Sequence, residues 1–159
     1  MKYYLGLGSN LGQKEDNLRQ ARARLRREGI RILSSSSLYE TEPVGVPEQP
    51  WFCNQVVEIK ADFSPGELLK LLKKIEQRMG RKTRARKAPR IIDLDILLAE
   101  NTIIRTRELV IPHPRLEKRN FVLFPLVEIA PDFVHPVFKL RIEDLAKKSE
   151  DSSKVKKVS

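Results

Sequence analysis

Apolar residues along the chain recur first at every second position, then at every third or fourth, and the alternation of these two periods predicts a sequence of strands and helices. Residues 2–7 (KYYLGL) read as an opening strand that runs into a glycine-rich turn, Gly6–Gly12. From Gln13 to Glu28 the period lengthens, with Leu18, Ala21 and Leu25 at helical spacing among Arg and Glu, and Gly29 stops it. Residues 30–40 (IRILSSSSLYE) read as a second strand, weakened by four consecutive serines, and a loop with Pro43, Pro47 and Pro50 follows. A third strand is predicted near 53–61, where Val57, Ile59 and Ala61 alternate with Glu58 and Lys60. The second helix has the clearest start: Ser64 can cap, Pro65 suits the first turn and Glu67 completes a capping box. Its buried stripe is Leu68, Leu72, Ile75 and Met79, and Gly80 ends it. A basic loop over 81–90 leads to a fourth strand at 91–98. Beyond the turn at Glu100-Asn101 come a short strand pair, the Pro112-His113-Pro114 corner, and helices near 121–129 and 142–148.

The order strand, helix, strand, strand, helix, strand is the split β-α-β pattern. It predicts an α+β fold of the ferredoxin-like kind: a four-stranded antiparallel sheet, two helices on one face, and a C-terminal helical extension. At 159 residues the chain suits one domain, expected over residues 1–148, with 149–159 as a polar, flexible tail.

Composition narrows the setting more than the chemistry. Apolar residues at 40% and charged residues at 33% give a globular balance. No apolar run is long enough to span a bilayer. The opening residues lack the features of a signal peptide, and the single cysteine, Cys53, fits a reducing compartment. A cytoplasmic location is therefore expected, and separately the chain is expected to act as a monomer. The net charge of +10 favours a polyanionic partner, which could be nucleic acid, an acidic membrane or a nucleotide triphosphate.

Asp93 and Asp95 carry the strongest chemical signal. In the run Ile92–Leu98 the residues 92, 94, 96 and 98 are apolar, so on a strand these four enter the core while both carboxylates share the other face. Two anions side by side repel, and a bridging cation reverses that cost. Magnesium combines carboxylates with substrate phosphates in this way. An outer strand face that is simply acidic is the plainer alternative. The basic run just upstream shifts the balance: Arg78, Arg81, Lys82, Arg84, Arg86, Lys87 and Arg90 include no acid among them and suit a triphosphate clamp. The turn Gly6–Gly12 has neither Rossmann spacing nor a Walker lysine. His113 between two prolines suits a directed hydrogen-bond donor, or equally a structural histidine. Phe52, Asn54 and Phe121 could form an aromatic slot with an amide reader, although core packing is the default for both rings.

These residues, taken in order, resemble the 6-hydroxymethyl-7,8-dihydropterin pyrophosphokinase family. The likeness runs from Tyr3 to about Pro136 through GLGSNLG at 6–12, SSLYETEPVG at 36–45, Phe52 with Asn54, and Glu76 with Gly80-Arg81. It continues in PRIIDLDIL at 89–97, Ile111–Pro114, Arg119–Phe121 and FPLVEIAP at 124–131. The resemblance implies transfer of pyrophosphate from ATP to the hydroxymethyl group of the pterin in folate biosynthesis, with release of AMP. It implies that Asp93 and Asp95 hold two magnesium ions with ATP. Arg81 and Arg90 resemble phosphate ligands that act in catalysis, and Ile96, His113 and Arg119 resemble further ATP contacts. Phe52 and Phe121 resemble rings that sandwich the pterin, with Asn54, Thr41, Pro43 and Val44 around its polar edge. Asn10 and Glu76 resemble supporting residues. Lys87-Ala88 replaces an aromatic-glycine pair common in the family, and Glu108 stands where some members have arginine.

Two rival readings come from other classes. An RNA-binding module of similar topology would stack bases on aromatic residues of the central strands. This chain lacks that aromatic signature and places Asp93 and Asp95 there. A two-metal nucleotidyl transferase would also suit the acidic pair, and only its product, free pyrophosphate, differs.

Overall fold

The computed structural model describes residues 1–43, 48–80 and 89–158. The sheet begins with β1 (Lys2–Ser9) at its centre, followed by α1 (Lys14–Arg27), β2 (Arg31–Ser35), β3 (Tyr39–Thr41) and β4 (Phe52–Lys60). Then come α2 (Pro65–Arg78), β5 (Asp93–Ala99), the short pair β6 (Ile104–Arg105) and β7 (Val110–Ile111), α3 (Asn120–Ile129), α4 (Ile142–Lys148) and β8 (Val155–Lys157). β1 lies between β4 and β5, and β2 and β3 both pair with the far edge of β4. Every pairing in this sheet is antiparallel. With β2 and β3 counted as one interrupted strand, this is the ferredoxin-like arrangement.

The expected strand over 30–40 is interrupted because its serines bond locally. Ser36 donates its N–H to the Val56 carbonyl and accepts the Val56 N–H on its hydroxyl, so a side chain replaces one rung of the ladder. Ser37 is drawn away by Glu128, whose carboxylate accepts from both its N–H and its hydroxyl.

Helix α2 begins as its sequence predicts, with the Ser64 hydroxyl accepting from the Glu67 N–H and the Glu67 carboxylate accepting from the Ser64 N–H. Leu68, Leu72 and Ile75 of α2 and Leu18, Ala21 and Leu25 of α1 pack on one face of the sheet, against Tyr3, Leu5, Leu7, Val57, Ile59, Leu94 and Ile96. The other face is covered in part by α3 and α4, whose Val122, Leu123, Leu126, Ile142 and Leu145 meet Tyr4, Val56, Leu97 and Leu98.

Leu98 departs from the expected alternation. Leu5 faces Ile96 while Tyr4 faces Leu98, so Leu97 is an extra residue in β5 and shifts the side-chain parity. Ile92, Leu94 and Ile96 enter the helix-side core as expected, whereas Leu97 and Leu98 both serve the second core. The polar stretch after α4 also differs from a frayed tail: Val155–Lys157 pair with Tyr39–Thr41 as an edge strand.

Candidate active site

The uncovered part of the second sheet face is a floor made by three neighbouring strands. Gly8 of β1 lies opposite Asn54 of β4 on one side and Asp93 of β5 on the other. Two residues along, Gly6 lies between Val56 and Asp95. An amide and a carboxylate thus flank a strip of bare backbone, separated by two strand spacings of roughly 5 Å each. The absence of side chains on β1 has a steric reason at Gly8, where a Cβ would fall 2.6 Å from Asn54 Oδ1.

Walls rise from this floor. Phe52, Thr41, Glu42, Pro43 and Gln49 stand on the β3–β4 side, and His113, Arg119, Phe121 and Val122 on the side of α3. With Arg90, Asp93, Asp95 and Leu97 they enclose a cavity of about 220 Å³. The two phenylalanines, 69 residues apart in the chain, therefore line one space rather than separate parts of the core. The Arg119 guanidinium lies over the Phe121 ring at 5.4 Å, a cation–π contact. Asn54 is held by its side-chain N–H, which donates to Thr41 Oγ1 at 2.5 Å.

The acidic pair is not a bare pair of anions. Arg90 donates to Asp93 Oδ2 at 2.8 Å, with both side chains only about a fifth exposed, while Asp95 is exposed. Repulsion between the carboxylates is thereby reduced before any cation arrives, which modifies the expectation from sequence. Two buried residues position this corner. Asn10 accepts the Arg90 N–H on Oδ1 at 2.7 Å and donates to Gln49 Oε1 at 3.0 Å. Glu76, reaching up from α2, accepts the Leu94 N–H at 2.8 Å and so grips β5 between Asp93 and Asp95.

His113 is fixed at both ends. Its N–H donates to the Leu97 carbonyl at 2.9 Å, and the Ile111-Pro112 bond that turns the chain there is cis. Its ring Nδ1 accepts the Arg115 N–H at 3.2 Å, which leaves the proton of the neutral ring on Nε2. Burial, with help from Arg119 and Arg115, pushes the His113 pKa down to about 4.

Most of the expected site residues converge here, and the exceptions are instructive. Ile96 turns its side chain to the opposite face, into the core beneath α1 and α2, so that side chain does not line the cavity. Glu108 lies outside the cavity, along a groove between α2 and the β6–β7 pair. Arg81, Val44 and the basic run of residues 81–88 fall outside the described residues. Gln49 and Leu97 were not anticipated: Gln49 sits in an aperiodic loop with no signal, whereas Leu97 shares the face of Asp93 and Asp95 by plain strand alternation, a signal the sequence does carry.

The sequence profile described as 7,8-dihydro-6-hydroxymethylpterin-pyrophosphokinase matches residues 4–131, most of the chain. The chain belongs to this family. Among curated relatives of the family, the 2-amino-4-hydroxy-6-hydroxymethyldihydropteridine pyrophosphokinase of Bacillus subtilis is 48% identical over 127 residues, covering 79% of this chain and 76% of that protein. The folic acid synthesis protein fol1 of Schizosaccharomyces pombe is 47% identical over 134 residues, which cover 84% of this chain. The chain spans only 18% of fol1's length. In three dimensions the fold matches a crystal structure of Plasmodium falciparum HPPK-DHPS with pteroate, at a TM-score of 0.76 and 18% identity, over 92% of this chain and 42% of that one. No helix among the described residues is long and apolar enough to cross a membrane.

Proposed function

We propose that this protein transfers the β,γ-pyrophosphoryl group of ATP to the hydroxymethyl oxygen of 6-hydroxymethyl-7,8-dihydropterin, releasing AMP. The observation that carries this reading is the shared cavity, in which an aromatic and amide half and a carboxylate and guanidinium half meet across Gly6 and Gly8, in a member of this family. The pterin fits the first half. Phe52 and Phe121 supply faces for a flat ring, and Asn54, oriented by Thr41, reads its polar edge.

The triphosphate fits the second half. His113 donates from Nε2–H to a phosphate oxygen without itself carrying charge, and Arg90 and Arg119 supply guanidinium forks. Arg81 is assigned the same task from sequence. Asp93 and Asp95 would hold the magnesium ions, two of them on this reading. Among the described residues no group of three or more His, Cys, Asp or Glu side chains could hold a metal. The donor set therefore suits a cation that completes its shell with phosphate and water. Magnesium, when bound, offsets phosphate charge and helps align the attacking and leaving oxygens. The protein's own share is positioning and electrostatics, which dominate such transfers. A cytoplasmic monomer without nucleic-acid or membrane partners completes the proposal.

Product analysis tests the reaction. Incubation with ATP, magnesium and the pterin is expected to yield AMP and a diphosphorylated pterin. Free pyrophosphate with a nucleotidylated product would instead establish the rival transferase. Asp93→Ala and Asp95→Ala should each lower turnover at least about a hundredfold in excess magnesium while remaining folded, and activity within about tenfold would remove the metal assignment.

A further inference from the structure

The start of α3 is where the two sides of the cavity depend on a segment outside the family match. Arg119 and Phe121, which line the cavity, flank Asn120, the first residue of the helix. A helix leaves its first N–H groups without intrahelical acceptors, and a Ser, Thr, Asp or Asn just before it normally supplies one. Here that place is taken by Arg119, in extended conformation, with no capping bond from its side chain.

The acceptor comes instead from 31 residues further along the chain. The Asn120 N–H donates to Asp151 Oδ2 at 2.8 Å, and the Asn120 side-chain amide donates to the Asp151 carbonyl, also at 2.8 Å. Ser149 completes the grip by donating its hydroxyl to Asn120 Oδ1 at 2.7 Å. Asp151 is itself held, since its Oδ1 accepts the Ser153 N–H at 2.9 Å and its own N–H donates to Ser149 Oγ at 3.2 Å. Burial works against the ionised carboxyl, but the bonds from Asn120 and Ser153 outweigh it and hold Asp151 below the usual carboxylate range. An anion at a helix start is also favoured by the helix dipole.

The same segment then runs to the opposite wall. Val155–Lys157 pair with Tyr39–Thr41, the Glu42 N–H donates to the Lys154 carbonyl, and the Lys154 N–H donates to Glu42 Oε1 at 2.8 Å. Thr41, Glu42 and Pro43 line the cavity, and Thr41 orients Asn54. The family profile ends at residue 131, so this strap lies wholly beyond it.

We propose that Asp151 is a positioning residue for the pterin half of the site, acting through Asn120 to set Arg119 and Phe121 against the wall that β8 holds in place. The inference rests on the functional reading above. With the helix start released, the Phe121 ring loses its fixed distance from Phe52, and a flat ligand must order it on binding.

The test is calorimetry on the full chain, titrating the pterin in magnesium and a non-hydrolysable ATP analogue, for the parent, Asp151→Ala and Asp151→Asn. Asp151→Ala is expected to raise the pterin Kd about tenfold, the order expected for losing a charge-assisted hydrogen bond that orders a binding wall. Asp151→Asn retains an oxygen for the Asn120 N–H and should stay within about threefold of the parent. Hydrogen exchange at residues 120–123 should quicken in Asp151→Ala and return toward the parent in Asp151→Asn. If Asp151→Ala does not fold, Ser149→Ala takes its place, with a loss of about threefold expected. A folded Asp151→Ala, or Ser149→Ala where that variant takes its place, that binds the pterin within about twofold of a binding parent overturns the role of Asp151 alone. A parent that binds no pterin overturns the functional reading and this inference with it.

Discussion

Two glycines on one strand face, two residues apart, should respond very differently to the same added methyl group. At Gly8 a Cβ would stand 2.6 Å from Asn54 Oδ1, inside any tolerated contact, and Asn54 is buried. Relief requires the amide to swing away, which breaks its 2.5 Å bond to Thr41 Oγ1. Overpacking of this kind costs about 1–3 kcal/mol, and the lost buried hydrogen bond adds about 1 kcal/mol. Restricting the unfolded chain returns about 0.5–1 kcal/mol. The net expectation for Gly8→Ala is a loss of about 1–3 kcal/mol, or a Tm lower by roughly 3–10 °C for a chain of this size. At Gly6 the same Cβ meets only Leu97 methyl carbons at 3.5 Å, an ordinary contact. Gly6→Ala should therefore melt within about 2 °C of the parent, since nothing is displaced. Thermal unfolding followed by circular dichroism compares the two directly, and pterin titration adds a second readout, because Gly8→Ala also displaces the residue assigned to read the pterin. Equal melting temperatures for the two variants would refute the argument, since it would mean that Asn54 is not held against Gly8.

Further outcomes follow from the same geometry. Glu76→Ala leaves the buried Leu94 N–H without this acceptor, and denaturant unfolding should show a loss of about 1–3 kcal/mol, largely regained in Glu76→Gln, whose amide oxygen can still accept. Phe52→Ala and Phe121→Ala should each weaken pterin binding by roughly 1 kcal/mol or more while changing ATP-analogue binding less, and equal losses for both ligands would place the rings in the core. His113 has a folded pKa of about 4 against an ordinary 6.5, so its neutral form favours the folded state above pH 6.5 and that contribution is lost as pH falls toward 4. Between about pH 7 and about pH 4.5 the parent should lose about 2 kcal/mol more than His113→Gln, measured by denaturant unfolding at each pH. His135, whose pKa burial also lowers, contributes with the same sign in both proteins and cancels from this comparison.

What the chain shows without its fold is whatever neighbours in sequence can encode. The capping box at Ser64 and Glu67, the helical stripe Leu68, Leu72 and Ile75, and the alternation of Leu94 and Ile96 with Asp93 and Asp95 rest on contacts within a few residues, and each stands in the structure as its local pattern predicts. The family resemblance likewise pointed to Phe52, Asn54, His113 and Phe121, because their order along the chain is itself a pattern. Tertiary structure decided the rest. The bulge at Leu97 has no local signature, since it is a mismatch between β5 and β1 rather than a property of either strand, and it sends Leu98 to the second core. Ile96 joined the ATP contacts by resemblance, yet its side chain lies beneath the sheet, on the face that strand parity gives it. Arg90 meeting Asp93, Glu76 gripping Leu94 across 18 residues and Asp151 capping Asn120 across 31 are polar contacts between single groups. Such contacts depend on distance and direction in space, and hydrophobic periodicity carries no record of either. The polar stretch that reads as a flexible tail is for this reason a structural strap, since a lone carboxylate such as Asp151 shows its partner only once the chain has folded around it.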